Sequence, residues 1–257
     1  MTRDFSTISP SARWLLLAKA HSELPYAREV AELVFGSQEV AAAASTTGAD
    51  AIRRRHFELR ARSVDEALEL VATPNIVELA SGLSFRGLAR AARGDVHYLD
   101  TDLPDLVEQK RTLLAQLRPP TLVGAYRIEP LDVMDAAAFV QTLVSVPAGP
   151  VSILHEGLLM YLGPDEKLRL AASIREALRS RGGRWITADV YLRRVSTIAR
   201  EAHVEKFLTE HRVEDQKFAD WDEAEKFFSD AGFVIDRKLV PHNDPALVRQ
   251  TWILAAR

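Results

Sequence analysis

The amino-acid sequence predicts an α/β fold: a mostly parallel seven-stranded sheet with an antiparallel edge hairpin and a helical N-terminal cap. Three observations predict it. From Pro74 onward, short apolar runs alternate with amphipathic stretches, the mark of successive βα units and a parallel sheet. Before that point the first 73 residues carry apolar side chains near helical spacing and no convincing strand. At the far end two β-like runs are separated only by Pro241 to Pro245, too few residues for a crossover helix, so they must pair antiparallel.

Taken in order, the cap helices are expected at Ser11 to His21, Tyr26 to Phe35 and Ala49 to Val71. Five strands follow, at Ile76 to Leu79, Val96 to Leu99, Leu122 to Tyr126, Val151 to Leu154 and Trp185 to Ala188. Between them fall helices at Phe85 to Arg93, Leu106 to Leu117, Ala136 to Val144 and Pro164 to Arg181. Ser84 is a plausible N-cap for the first and Gly94 its stop, while the fourth opens with Pro164-Asp165-Glu166 and ends at Gly182-Gly183. A polar helical stretch, Arg193 to His211, and a helix at Trp221 to Asp230 precede the closing strands, Phe233 to Val240 and Leu247 to Leu254. The expected division is therefore a cap over residues 1–73 and a second domain over 74–257, with a helical insertion near 191–216.

Composition narrows the function. Of 257 residues 47% are hydrophobic and 27% charged, an ordinary globular balance, so binding has to be argued from sites. Thirty-three basic against 36 acidic side chains leave a net charge of -3, and the Arg53-Arg54-Arg55 run is short and helical, which argues against a nucleic-acid partner. With no cysteine there is neither a disulfide framework nor a thiol nucleophile. Met1 to Pro10 lacks a basic region followed by an apolar core, and no run approaches the roughly 18 apolar residues of a spanning helix. A cytoplasmic location and no membrane partner are the default expectations. No His and carboxylate spacing suggests a metal site. The oligomeric state is not legible.

In an open parallel sheet a ligand sits beyond the carboxyl ends of the strands, where the first βα loop crosses over. That loop is Val77-Glu78-Leu79-Ala80-Ser81-Gly82-Leu83-Ser84, whose small residues at 80–82 would let a ligand reach the backbone. The second strand ends in Leu99-Asp100-Thr101-Asp102, and a carboxylate at such a tip can accept bonds from both hydroxyls of a ribose. A solvated or helix-capping aspartate would look the same.

Two further segments are more specific. Asp102-Leu103-Pro104, with Lys110 eight residues after the aspartate, and Glu156-Gly157-Leu158-Leu159-Met160-Tyr161-Leu162 stand in this order after the glycine loop. The chain thereby resembles the leucine carboxyl methyltransferases and the polyketide-type O-methyltransferases similar to them, from about residue 11 to the end. The resemblance implies a class I methyltransferase-like (Rossmann-like) fold, S-adenosylmethionine as cofactor and an oxygen acceptor on a small molecule or peptide. It also implies roles for individual residues. Asp102 would hold the ribose, with Glu78, Ala80, Gly82 and Leu103 beside the cofactor, and Glu156 with Gly157 would lie near the methionine amino group. Leu131-Asp132-Val133-Met134-Asp135 resembles the segment that cradles adenine, which brings in Asp132 and Val133. Leu59-Arg60-Ala61-Arg62 resembles the Arg-x-Arg stretch before the first strand, making Arg60 the partner of the cofactor carboxylate, assisted by Arg13 or Lys19. Tyr161 and His155 are the candidates nearest the reacting oxygen, although Tyr161 also reads as core and His155 as a packed histidine.

The sequence departs from the family pattern in two places. Gly-x-Gly-Leu-Asp-Thr-Arg becomes Ala80-Ser81-Gly82-Leu83-Ser84-Phe85-Arg86, and Met134 replaces an arginine of the adenine segment. A carboxylate acceptor is expected, since it needs no base and no histidine stands out as one. Two other readings stay open: a nicotinamide-dependent oxidoreductase, which also uses an acidic second-strand tip, and a cofactor-binding protein without catalysis.

Overall fold

The protein is described by a computed structural model covering residues 10–43, 48–119, 121–193, 202–244 and 247–257. Seven strands form one sheet: β1 (Asn75–Leu79), β2 (His97–Asp102), β3 (Ala125–Pro130), β4 (Val151–His155), β5 (Gly183–Tyr191), β6 (Phe233–Leu239) and β7 (Arg249–Ala256). Their order is β3-β2-β1-β4-β5-β7-β6. The first five run parallel, and β7 lies antiparallel to both β5 and β6. The chain starts in the middle with β1, winds outward to β3, then returns to β4 on the other side of β1. The crevice where that direction reverses lies above the ends of β1 and β4, the position at which open α/β sheets take ligands.

Helices cover both faces. On one, α7 (Ala136–Val144), α8 (Pro164–Arg181) and α10 (Trp221–Asp230) bury Phe139, Leu170, Ile174 and Phe228 against Val77, Leu79, Ile153 and Trp185. Each such aliphatic or aromatic side chain contributes about 1.5–3 kcal/mol when fully removed from water, which makes this the main stabilising layer. The local signals that delimit α8 behave as expected: Pro164 opens it, the Glu166 carboxylate accepts from the Gly163 N–H at 2.7 Å, and Gly182 (φ 74°) ends it. Asp135 caps α7 by accepting from the Ala137 and Ala138 N–H groups.

The other face carries α4 (Gly48–Val71), α5 (Arg86–Arg93) and α6 (Pro104–Gln116), with α1 (Pro10–Lys19), α2 (Ala27–Phe35) and the short α3 (Ser37–Ala42) beyond them. Leu16, Ala20, Val30 and Val40 pack on Leu83, Phe85, Leu88 and Leu106, so the small helices roof the first βα loop. The far half of α4 does something else. Val64, Ala67 and Leu68 bury against Ile76, Leu154, Ile186 and Ile253, which makes α4 both the last helix of the expected cap and part of the layer on the sheet.

Several boundaries differ from the sequence reading. The third strand occupies Ala125–Pro130 rather than 122–126, because the Val123 and Gly124 N–H groups bond the Ala91 carbonyl and tie that segment to the end of α5. Being an edge strand it places buried Ile128 between exposed Arg127 and half-buried Glu129, which hid its extent from a search for apolar runs. β5 continues three residues past Ala188, through Asp189 to Tyr191. Phe85, not Ser84, is the residue before α5, and only the Arg86 N–H reaches the Ser84 hydroxyl, at 3.4 Å. Of the helix expected at Arg193 to His211, Ala202–Glu210 is helical (α9) and residues 194–201 lie outside the described residues. No described helix is long and apolar enough to cross a membrane.

Candidate active site

A cavity of about 450 Å³ opens above the carboxyl ends of β1, β2 and β4, within the size range of small-molecule sites. Its floor is the β1–α5 loop, where Ala80 and Gly82 take left-handed backbone angles (φ 49° and 56°) that expose the backbone to the cavity. Glycine adopts that geometry freely; alanine does so at a cost of about 1–2 kcal/mol. The Asp102 carboxylate at the end of β2 holds this loop, accepting from the Gly82 N–H at 2.7 Å and the Leu103 N–H at 2.8 Å. Each carboxylate oxygen keeps a further lone pair, and Asp102 lines the cavity. Burial raises the Asp102 pKa above its ordinary value, against the two N–H bonds.

At the other end Glu156 stands at the tip of β4 among three cations: Lys19 Nζ at 2.6 Å, Arg86 Nη2 at 2.7 Å and Arg60 Nε at 3.0 Å. Burial opposes its charge, but Lys19, Arg60 and Arg86 outweigh that and hold the carboxyl well below the ordinary carboxylate range. Burial likewise works against Arg60, yet Tyr191, Glu156 and Asp189 keep its guanidinium above the usual value. Gly157 (φ 89°) follows Glu156, and a Cβ there would meet Arg60 Nη2 at 3.4 Å. The turn after it is organised by Asp189, whose carboxylate accepts from the N–H groups of Gly157 (2.6 Å), Leu158 (2.6 Å) and Leu159 (3.1 Å).

The structure brings Arg60, Glu78, Ala80, Gly82, Asp102, Leu103, Asp132, Val133, Glu156, Gly157 and Tyr161 to this one cavity. Lys19 is the basic residue of α1 that reaches it; Arg13 instead lies over the Phe35 ring. His155 is corrected. It has no exposed surface and does not line the cavity: Nδ1 is 2.8 Å from Asp189 Oδ2, and Nε2 accepts from Trp185 Nε1 at 3.0 Å. With both ring nitrogens occupied inside the sheet, its part is to hold Asp189. Met134, in the place of an arginine, packs on the apolar layer beside α7, while Asp132 accepts from its N–H at 2.9 Å.

Sequence reasoning passed over the supporting shell. Arg86, visible in the loop motif but given no role, ties Glu78 (2.6 Å) and Asp65 (2.9 Å) to Glu156. Burial pushes Glu78 up to about 7, against the pull of Arg86. Lys110, eight residues after Asp102, is fully buried, 2.6 Å from Asp100 and 2.9 Å from the Ser81 hydroxyl, so it fixes the glycine loop from below. His56, Tyr191 and Asp244 form a further buried cluster at the cavity's side.

Solved structures share the fold: a duf574 family protein from Streptomyces avermitilis (14% identity, TM-score 0.60, covering 96% of this chain and 97% of that one) and the magnesium protoporphyrin IX methyltransferase of Synechocystis PCC 6803 with bound SAH (10%, 0.58, 99% and 98%). The fold is thus that of the class I S-adenosylmethionine-dependent methyltransferases. The pattern of the leucine carboxyl methyltransferases matches residues 9–175, and the chain belongs to that family. S-adenosylmethionine is the cofactor that this membership brings, and the nicotinamide reading falls away. The S-adenosyl-L-methionine-dependent methyltransferase dpfgK of Gibberella zeae is 31% identical over 130 residues, 48% of this chain and 42% of that protein. The chain therefore spans less than half the length of the curated relative it matches.

Proposed function

We propose that the protein transfers the methyl group of S-adenosylmethionine to an oxygen of a small molecule held in the same cavity. The observation that carries this reading is the pairing of Glu156 with Arg60 and Lys19 at one end of a cavity whose other end is the Asp102-held loop. The residues suit the cofactor: an acid beside bases matches a zwitterionic amino acid, and a carboxylate at the tip of β2 matches a ribose. Arg60 with Lys19 would take the methionine carboxylate and Glu156 its amino group, while Asp132 and Val133 would flank adenine. Bound there, the cofactor would supply an electrophilic methyl group on a sulfonium, with a neutral thioether as leaving group.

What the protein contributes is positioning and exclusion of water. Attack needs the oxygen about 3–3.5 Å from the methyl and in line with it. The cavity lining also includes Trp14, Leu15, Phe57, Met160 and Tyr161, largely apolar side chains that would suit a flat or hydrophobic acceptor. We further propose that residues 1–73 and the insertion near 191–216 act as the specificity-giving cap over the cofactor domain. Incubation with methyl-labelled cofactor and a small-molecule extract should give a labelled organic product; cofactor binding with no transfer to any acceptor would favour a binding protein without catalysis.

A further inference from the structure

Three groups far apart in sequence meet at one side of the cavity. His56 Nδ1 lies 2.9 Å from Asp244 Oδ1, and His56 Nε2 lies 2.9 Å from the Tyr191 hydroxyl, which also accepts from Arg60 Nη1 at 3.2 Å. His56 and Tyr191 both line the cavity; Asp244 is buried behind them. The donor directions follow from valence. The Asp244 carboxylate can only accept, so His56 carries its proton on Nδ1 and presents the Nε2 lone pair to the Tyr191 O–H. Tyr191 then donates to His56, accepts from Arg60, and retains one lone pair for a third partner in the cavity.

We propose that Tyr191, His56 and Asp244 form a proton relay for a hydroxyl acceptor, so that the product is a methyl ether rather than a methyl ester. The inference rests on the methyl-transfer reading and specifies its substrate class. As the acceptor oxygen bonds the methyl carbon, its proton passes to Tyr191 Oη while the proton of Tyr191 passes to His56 Nε2. The imidazolium so formed faces Asp244 and later releases its proton to solvent. Tyr191 is the catalytic residue that touches the acceptor, His56 receives the proton, and Asp244 is a positioning residue that fixes the tautomer. A carboxylate is already ionised near neutrality and would have no use for this arrangement.

The surroundings suit a base that works uncharged. Burial lowers the His56 pKa, with Asp244 opposing; the other charged or titratable groups facing it are Arg60 on α4, Tyr191 on β5 and Arg249 on β7. Burial raises the Tyr191 pKa, with Arg60 and Arg249 opposing and Asp189 adding to the rise, and Lys217 stands 5.5 Å from its ring. His56 is thus neutral at pH 7 and able to accept a proton, while Tyr191 is a hydroxyl that relays one.

The test combines product chemistry, pH dependence and a readout that needs no turnover. With labelled cofactor and small-molecule extract, the product should keep its label in mild alkali, whereas a methyl ester would release volatile methanol. His56→Gln and Tyr191→Phe should lower turnover by about 100-fold or more, the scale of general base catalysis, while S-adenosylhomocysteine affinity by calorimetry stays within about 3-fold. The wild-type rate should be level above pH 7. With a phenolic acceptor, the His56→Gln rate should instead rise about tenfold per pH unit toward the phenol's ionisation near 10, which a structural role for His56 would not produce. Independently of any acceptor, ¹⁵N spectra of the imidazoles should show His56 as the Nδ1–H tautomer, and Tyr191→Phe should shift its Nε2 resonance. Alkali-labile label, undiminished rates in both variants, or a His56 Nε2 resonance indifferent to Tyr191→Phe would overturn the relay. Absence of cofactor binding in the wild type would instead overturn the methyl-transfer reading beneath it.

Discussion

The proposed cofactor end of the cavity is assembled mostly from contiguous stretches, residues 78–86, 102–103, 132–133 and 156–157, joined by Lys19 from α1 and Arg60 from α4, whereas the proposed acceptor end takes His56 from α4, Tyr191 from the end of β5 and Asp244 from the connection into β7. The difference is one of chemistry as much as of topology. A ribose and an amino acid must be gripped by backbone turns and strand tips, and such turns need particular residues in particular order. An acceptor site only needs side chains that converge, and a fold can deliver them from anywhere. The two ends meet at Arg60, which touches Glu156 on one side and Tyr191 on the other.

Substitutions should sharpen this contrast. The largest effect is expected beneath the glycine loop: Lys110→Met leaves Asp100 buried without its ion-pair partner and should cost about 3–5 kcal/mol of stability, read by denaturant unfolding. Arg60→Ala comes next. It should weaken S-adenosylhomocysteine binding by about 10- to 100-fold, the loss of one charged hydrogen bond, with the fold kept because Lys19 and Arg86 still neutralise Glu156. Arg62, paired with Glu58 and Glu23 at the surface, provides the control: Arg62→Ala should alter stability by less than about 1 kcal/mol and cofactor affinity not at all. Smallest is Ala80→Gly, which removes a left-handed alanine but adds freedom to the unfolded chain. It should raise stability by about 1 kcal/mol or less, a Tm increase of about 2–4 °C at most, with cofactor binding retained.

The same contrast explains what the sequence disclosed. Asp102 and Glu156 were legible because each stands at the tip of a largely buried strand and begins a recognisable segment, and the closing hairpin was legible because too few residues separate its strands for a helix. Asp189 was hidden because it lies inside a strand that an apolar search ends at Ala188, although its carboxylate organises the Gly157–Leu159 turn. His155 ends an apolar strand, next to Glu156. In a strand, adjacent side chains point to opposite faces, so that proximity put it in the sheet's interior rather than in the site. His56 is a polar position within a long helix and carries no further signal in the sequence; only the tertiary fold gives it Asp244 and Tyr191 as neighbours.

The central claim is that the cofactor lies against the Asp102-held loop at the ends of β1 and β2, and calorimetric titration of S-adenosylhomocysteine into wild type and Asp102→Ala tests it most directly. The account predicts a saturable one-to-one isotherm for the wild type and at least about a tenfold weaker one for the variant, from the loss of hydrogen bonds to a charged acceptor. Equal affinity in the two proteins, with Asp102→Ala folded by circular dichroism, would contradict it.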